Sequence, residues 1–462
     1  MRIRIILLLL LILSVFTSFY FIICIILALT LLVLLIHNMG KKLLVLESIA
    51  LYSSIIYLII PMIGYKYYTI SNPLSKLWVT YFKVSEETYF EFTLPAILLF
   101  IFGLFLFTNK SEGHLIQKIL IFAQNKINKV GRLPIYLVLF SVACFYISPY
   151  APSFLQYILY IFFLTIFPAV TYLYFDTNRD TYSKLVIFGV ILWLIYNALI
   201  TSMFTVIVYM GISFFGLLLL KNRYSFLKKT ILVIVIISFT IILQFTKKEY
   251  RTLSRNNLIK DSNFGTFISL YRNNIKDIYG IFDANAFFPI YVRVNQGIQL
   301  ASVMQYMPSR KPHDQGSQLG KSILASVVPR LFWPDKPESG GKNNMKYYAN
   351  IYLDTTSMNV GPIGEGYGAF GKWGGIFYMF IFGTFLGWVY NNFIRLTIKR
   401  PLLLFWQPLL FYEVIFCMEN DTMQALNSLI KISFLLFILF KLFPGLIGLK
   451  DNSVRSNQLA LG

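Results

Sequence analysis

Two long uncharged stretches constrain this chain more than any other feature of its sequence. Ile5 to Ile36 is a run of 32 residues without an acidic or basic side chain, and Leu185 to Leu220 is a run of 36. A helix that spans a bilayer needs about 20 apolar residues. Each run is therefore too long for one membrane helix and long enough for two short ones, so we predict a helical hairpin in each.

The composition of the whole chain agrees with a membrane protein. Hydrophobic residues make up 57% of the 462 residues and charged residues 13%, whereas charged residues are about a quarter of a soluble domain. Lys and Arg exceed Asp and Glu, which gives a formal net charge of +21. Much of this surplus lies in short loops between apolar segments, as the positive-inside rule predicts. The positive charge is therefore not interpreted as a nucleic-acid-binding surface.

The same rule orients the predicted membrane spans. Arg2 and Arg4 precede the first hairpin and Lys41 and Lys42 follow it, so both ends of the hairpin are predicted to be cytoplasmic. Extending the rule along the chain gives an all-α polytopic membrane protein with twelve spans and both termini in the cytoplasm. The predicted spans are two within 5–36, then 43–64, 89–107, 133–150, 153–175, two within 185–220, then 230–246, 373–390, 402–418 and 428–446.

This pattern divides the chain into four parts, one of which is a large external loop. Within that loop, apolar side chains from Phe264 to Phe282 recur at steps of four and three, which predicts an amphipathic helix. Such a helix either packs against the spans or lies in the membrane interface. Short helices are also predicted over 295–307, 317–328 and 343–353. The four parts are nine spans in 1–246, the loop in 247–366, three spans in 367–446 and a cytoplasmic tail in 447–462.

Cations are the candidate binding groups of the loop. The planar fork of arginine binds two phosphate oxygens and lysine adds a compact charge, so a set of them suits an anionic lipid headgroup or a pyrophosphate. For any single residue the alternative is a solvated or lipid-facing charge. Arg330 and Lys336 stand out because three prolines restrict the backbone around them. The predicted anion-binding set is Arg272, Arg293, Arg310, Arg330 and Lys336.

Glu365 is the leading candidate for acid–base chemistry because it is the only acid in the glycine-rich segment from Gly361 to Gly375. It is predicted either to take a proton from a substrate hydroxyl or to form a salt bridge with a loop arginine such as Arg330. Asp335 and His313 are the further candidates. Glycines of this segment and of the following span have the spacing of closely packed helices. The chain has no metal-binding or phosphate-loop motif, so neither a metal nor a cofactor is expected.

An ordered set of motifs extends through the loop into the next span. It comprises Arg293, Gly316-Ser317, the segment from Pro329 to Pro337, Gly364-Glu365-x-Tyr367 and Phe370-Gly371. This set resembles the bacterial Wzy-type polymerases of O-antigen and oligosaccharide repeat units. The resemblance implies a membrane glycosyltransferase of the GT-C-like type in the bacterial plasma membrane.

The resemblance also implies a reaction and its partners. Glycan repeat units linked to undecaprenyl pyrophosphate would serve as donor and acceptor at the outer face of the membrane, with a chain-length regulator and a flippase as further partners. The cations would bind the pyrophosphate, and Glu365, Asp335 or His313 would take the acceptor proton. The rival interpretations are an O-antigen ligase that uses the same donor, a lipid or polysaccharide transporter, and a non-catalytic scaffold. A transporter is typically built of paired repeat halves, which this chain does not show.

Overall fold

In the part of the chain that the structure, a computed structural model, describes, every regular secondary-structure element is a helix. That part comprises residues 2–128, 130–178, 180–200, 205–222, 224–255, 264–277, 280, 283–330, 332–338, 340–353 and 358–444. Eight of its helices are long and apolar enough to cross a membrane. The chain therefore has the architecture of a polytopic helical membrane protein, as the uncharged runs predict.

Besides two three-residue 3-10 helices, the first half of the chain forms eleven helices among the described residues. Four shorter apolar helices, three of them in this half, coincide with the remaining predicted spans, so the number twelve stays a prediction. The helices are α1 (Arg2–Phe16), α2 (Tyr20–Asn38), α3 (Val45–Tyr67), α4 (Pro73–Leu77), α5 (Glu86–Leu104), α6 (Glu112–Ile127), α7 (Leu133–Ile147), α8 (Ser153–Phe163), α9 (Ile166–Phe175), α10 (Thr181–Ile200) and α11 (Thr205–Leu218).

The second half contains the loop helices and the last spans. Three short helices predicted in the loop, α15 to α17, are present with ends that differ by only a few residues. The helices of this half are α12 (Phe226–Arg255), α13 (Phe264–Lys276), α14 (Ala284–Val294), α15 (Gly297–Tyr306), α16 (Ser317–Val327), α17 (Lys342–Ala349), α18 (Gly361–Lys399), α19 (Gln407–Leu410) and α20 (Thr422–Lys441).

The predicted eleventh span is not one continuous helix. Pro401–Trp406 is a 3-10 helix, α19 adds a single α-helical turn, and turns continue to 419. Pro408 lies where a continuous span would have its interior, and there it removes a backbone donor and clashes with the preceding turn; in the structure it stands in the first turn of α19, where proline is tolerated. Nearly every residue from 401 to 418 is buried, and irregular backbone at membrane depth is tolerated where protein surrounds it. A hydrogen bond also connects this segment to α9, because the Trp406 indole donates to the Tyr172 hydroxyl at 2.8 Å.

Helices α5 and α18 pack with their backbones in close contact. A Cβ atom on Gly383 would lie 2.1 Å from the carbonyl oxygen of Phe100, and one on Gly387 would lie 2.5 Å from that of Leu104. Real Cβ atoms do not approach so closely, so both positions require glycine for this packing. The close packing predicted from the glycine spacing is confirmed.

The amphipathic helix of the loop packs against a span. In α13, the Tyr271 ring lies 5.7 Å from the Phe239 ring of α12, and Asn274 Nδ2 donates to Thr246 Oγ1 at 3.0 Å. The helix therefore packs against the bundle, which is one of the two predicted arrangements. The end of the predicted helix, at Ile278 and Phe282, lies outside the described residues. Helix α12 itself continues to Arg255, nine residues beyond the predicted end of its span.

Helix α6 was not predicted, because its segment was interpreted only as a basic cytoplasmic loop. Its buried residues recur with helical spacing, which is the signal that predicts an amphipathic helix. They are Ile116, Ile119, Leu120, Ala123 and Ile127.

The helix bundle has two ends that differ in what covers them. At the α6 end, the carboxylate of Glu112 accepts hydrogen bonds from Lys42 and from Tyr390 of α18. At the opposite end, which we call the cap end, helices α14 to α17 lie over the end of α3 and the starts of α18 and α20. One contact there is the stacking of Tyr68 on Tyr291 of α14, with ring centroids 4.2 Å apart.

Candidate functional site

The proline-rich segment after α16 folds back on itself and brings two cations together. The backbone amides of Phe332 and Trp333 both donate to the carbonyl oxygen of Pro329, at 3.0 and 3.2 Å. Lys336 Nζ then donates to the carbonyl oxygen of Val328 at 2.9 Å. Burial lowers the pKa of Lys336, and the neighbouring positive charge of Arg330 lowers it further. The two predicted cations therefore share one local environment.

A third cation, Lys431 of α20, belongs to the same neighbourhood. Helix α16 packs against α20, and the charges of Lys336 and Arg330 both act on Lys431. The Lys431 ammonium lies 4.1 Å from the centroid of the Tyr157 ring. We call Arg330, Lys336 and Lys431 the cationic cluster.

The cationic cluster has no acidic counterion in contact. Among the described residues, the ion pairs within 4.0 Å involve other side chains, and the acid whose charge acts on Lys431 is Glu413. Glu413 offsets part of the charge on Lys431, but the three cations still repel one another because no carboxylate contacts them. An anion bound between them would remove that repulsion.

The other predicted cations lie elsewhere in the loop. Arg293, in the last turn of α14, forms an ion pair with Glu419, which also accepts a hydrogen bond from the Tyr52 hydroxyl at 2.5 Å. Arg272 is exposed on α13, and Arg310 is exposed just after α15. Of the five predicted cations, Arg330 and Lys336 are the two that the structure brings together.

Glu365 is enclosed by protein and held at the start of α20. Its carboxylate accepts hydrogen bonds from Asn344 Nδ2 at 2.6 Å, from the backbone amide of Thr422 at 2.9 Å and from the Thr422 hydroxyl. Only 1% of the residue is exposed. The alternative of a salt bridge with Arg330 is therefore wrong, because neutral donors and the positive end of the α20 dipole satisfy this carboxylate.

Asp421 makes a parallel connection beside Glu365. It caps α20 by accepting from the amide of Gln424 at 2.6 Å, and it also accepts from the amides of Gly340 and Gly341, at 3.1 and 3.3 Å. Both glycines have positive φ angles, +117° and +78°. Two acids thus tie the segment after the proline-rich turn to the start of one membrane helix. Sequence reasoning missed Asp421, although an Asp directly before an apolar helix is an N-cap signal.

His313 lies where two of the predicted motifs meet. The Gln315 amide donates to Ala369 O at 2.9 Å, and a Cβ atom on Gly316 would lie 2.7 Å from the Phe370 ring. The Gly316-Ser317 and Phe370-Gly371 motifs are therefore in contact. His313 Nδ1 is 3.2 Å from the carbonyl oxygen of Gly368. A carbonyl only accepts, so Nδ1 carries the proton and Nε2 of the neutral ring is an acceptor.

Gly371 leaves space beside the imidazole of His313. Its backbone, with φ +71° and ψ −164°, breaks the helical path of α18. A Cβ atom there would lie 3.1 Å from Nε2 of His313, so glycine keeps that nitrogen uncrowded. The third predicted proton acceptor, Asp335, is exposed on the proline-rich segment.

No protein-family model, curated protein or solved structure matches this chain. The cationic cluster is suited to binding an anion such as a pyrophosphate, and half-buried His313 is suited to accepting a proton. Within the described residues, no group of three or more His, Cys, Asp or Glu side chains is placed to hold a metal ion.

Proposed function

We propose that this protein joins oligosaccharide repeat units linked to undecaprenyl pyrophosphate at the outer face of the bacterial plasma membrane. The observation that carries the proposal is the cationic cluster, in which the charges of three cations act on one another while no carboxylate among the described residues contacts them. A lipid pyrophosphate is an anion that reaches such a cluster from the membrane. The motif resemblance supports the same substrate class.

The proposed reaction needs little from the protein beyond charge and position. The acceptor hydroxyl forms a bond to the anomeric carbon of the donor sugar, and the bond from that carbon to the phosphate oxygen breaks. The lipid pyrophosphate leaves with the electron pair of that bond, and the cationic cluster stabilises its negative charge. The hydroxyl proton passes to Nε2 of His313.

Glu365 is a positioning residue in this scheme. Its carboxylate lies between Asn344 of α17 and Thr422 of α20, and its strongest hydrogen bonds are to protein. It is therefore better placed to hold the cap helices to the bundle than to meet a substrate hydroxyl. The proton acceptor is better sought at His313, where one ring nitrogen is held by a carbonyl and the other faces the glycine.

Deletion of the gene followed by profiling of lipid-linked and exported glycans tests the proposed function. Single repeat units left on the lipid are the expected result. Polymer left on the lipid would instead identify an O-antigen ligase, which uses the same donor and would use the same cluster. An unchanged glycan profile would contradict both activities.

The role of His313 is tested by complementing the deletion with His313→Ala. Loss of a positioned base lowers turnover by about 10²- to 10⁴-fold, so we expect polymer formation to be nearly abolished while the amount of folded protein is unchanged. His114→Ala is the matched control, because His114 is exposed on α6 at the other end of the bundle. Normal polymer from His313→Ala would remove His313 from the reaction.

A further inference from the structure

A cleft of about 600 Å³ opens at the cap end, and neither the cationic cluster nor His313 lines it. Its volume lies in the range of small-molecule sites. It is formed by the end of α3, the segment that follows α3, and the last turn of α15. The lining residues are Gly64, Tyr65, Thr69, Ile70, Tyr81, Phe82, Lys83 and Gln305.

The aromatic part of the cleft is held rigidly in place. The rings of Tyr65 and Phe82 are stacked, with centroids 4.2 Å apart and an angle of 23° between their planes. The Tyr65 hydroxyl donates to the carbonyl oxygen of Val84 at 3.2 Å. A Cβ atom on Gly64 would lie 2.5 Å from the Phe82 ring and 2.4 Å from the Tyr291 hydroxyl. Glycine at this position therefore permits the packing that fixes the ring pair.

Apart from Ile70, the remaining lining is polar and carries a single charge. Thr69 and Tyr81 contribute hydroxyl groups, Gln305 contributes an exposed amide, and Lys83 contributes one positive charge. No carboxylate is among the eight lining residues. Fixed aromatic faces beside amide and hydroxyl groups match a sugar, which has apolar C–H faces and many hydroxyls. A lipid chain would need a continuously apolar lining, and a pyrophosphate would need more than one cation.

We propose that this cleft binds a saccharide unit of the lipid-linked glycan. The assignment rests on the proposed function, and it adds a second site on different elements from the cationic cluster. The cluster lies on the segment after α16 and on α20, whereas the cleft lies at the end of α3 and on α15. Both belong to the cap end. One site would hold the pyrophosphate and the other would hold sugars of the glycan.

The test measures binding of purified full-length protein in detergent to a microarray of bacterial oligosaccharides. The test variant combines Tyr81→Ala with Gln305→Ala, which removes an aromatic face and an amide from the lining without touching the stacked pair. Trp78→Ala is the matched control, since Trp78 is an exposed aromatic of the same segment that does not line the cleft. We expect the double variant to bind the preferred glycan at least about tenfold more weakly and the control to bind as the parent does.

Two results would overturn the saccharide site. One is equal glycan binding by the parent, the double variant and the control; the other is a parent protein that binds no glycan on the array. Both readouts are independent of the deletion experiment. Cleft-dependent glycan binding with an unchanged glycan profile would reject the polymerase and keep the site. Single repeat units in the deletion strain with cleft-independent binding would reject the site and keep the polymerase.

Discussion

Charged side chains at the two ends of the helix bundle differ in the partners that they contact. At the α6 end, Lys42 and Glu112 form an ion pair at 2.9 Å and Tyr390 donates to the same carboxylate at 2.7 Å. Nearby, the buried carboxylate of Glu47 accepts from Asn38 Nδ2 at 2.7 Å. At the cap end Arg293 is paired with Glu419, but Arg330, Lys336 and Lys431 share a neighbourhood without a contacting carboxylate among the described residues.

This difference separates charges that stabilise the fold from charges that are available to a ligand. A buried charge with protein partners is costly to disturb and has little left to offer a substrate. A cluster of like charges lowers stability and binds an anion strongly. Acids follow the same distinction at the cap end, because Glu365 and Asp421 are satisfied by amide and hydroxyl donors. Whether a charged side chain has a partner within the protein is therefore more informative about its function than the charge itself.

Among the substitutions that test this comparison of the two ends, the largest effect is expected from Arg330→Lys. The substitution keeps the charge but removes the planar fork that contacts two phosphate oxygens. Loss of one donor to a developing negative charge lowers turnover by about 10²- to 10³-fold, so polymer formation in the complemented deletion strain should be nearly lost. Lys118→Ala, an exposed cation of α6, is the control. Polymer of normal length from Arg330→Ala at an unchanged protein level would contradict the role of the cluster.

The next effect tests the α6 end, where charge is expected to serve stability alone. Glu112→Ala leaves Lys42 and Tyr390 without their shared acceptor. We expect a loss of about 2 kcal/mol of stability, less than for a fully enclosed pair because the Lys42 side chain is 18% exposed. Thermal unfolding in detergent measures the change. Activity per folded molecule should stay normal, and a specific loss of activity would break the distinction between the two ends.

A comparable loss of stability is expected from Glu365→Gln. The amide nitrogen of glutamine cannot accept from the backbone amide of Thr422 at one position, and at the other it disrupts the hydrogen bond from Asn344 unless the Asn344 amide turns over. An unsatisfied buried donor costs about 1–3 kcal/mol, so the melting temperature should fall, and Asn344→Ala should lower it in the same direction. If Glu365→Gln kept its stability and its donor binding but lost turnover, Glu365 would be the base and His313 would not.

The sequence predicts the membrane helices well because hydropathy is a local property. Uncharged runs identify α1, α2, α10 and α11, and the glycines of α18 predict close helix packing, for which the structure supplies α5 as the partner. Interruption of the eleventh span was missed, since the composition of Leu402 to Met418 is that of a membrane helix and only burial by neighbouring helices permits its irregular backbone.

Site residues were predicted less completely because partners come from distant parts of the chain. Arg330 and Lys336 are close in sequence, and the prolines around them indicate that the two side chains lie in the same neighbourhood. Lys431 is recognisable as an ionisable residue near a span end, but its place beside them depends on the packing of α16 on α20. The donors around Glu365 are equally non-local, since Asn344 and Thr422 come from a loop helix and a membrane helix.

The smallest predicted effect is a shift in pH dependence at Lys336. Its pKa is lowered by burial and by Arg330, so Lys336 loses its proton at a lower pH than an ordinary lysine does. An anion between the cations favours the protonated form, and affinity for inorganic pyrophosphate should therefore fall as pH rises through the lowered pKa. The Lys336→Arg variant should keep its affinity for pyrophosphate when pH rises above that pKa, because arginine stays protonated. Titrations of the purified protein at rising pH measure the difference.

Stability without the ligand should change with pH in the opposite direction. A lysine whose pKa is lower in the folded state than in the unfolded state destabilises the fold while it is charged, and this cost is relieved as pH rises from the lowered pKa toward the unfolded value. If Lys336 contacts the anion, the affinity for pyrophosphate falls as pH rises above the lowered pKa. The stability of the ligand-free protein rises over the same pH interval. A purely structural lysine gives the second trend alone. Affinity for pyrophosphate that has the same pH dependence in the parent and in Lys336→Arg would show that Lys336 does not contact the anion.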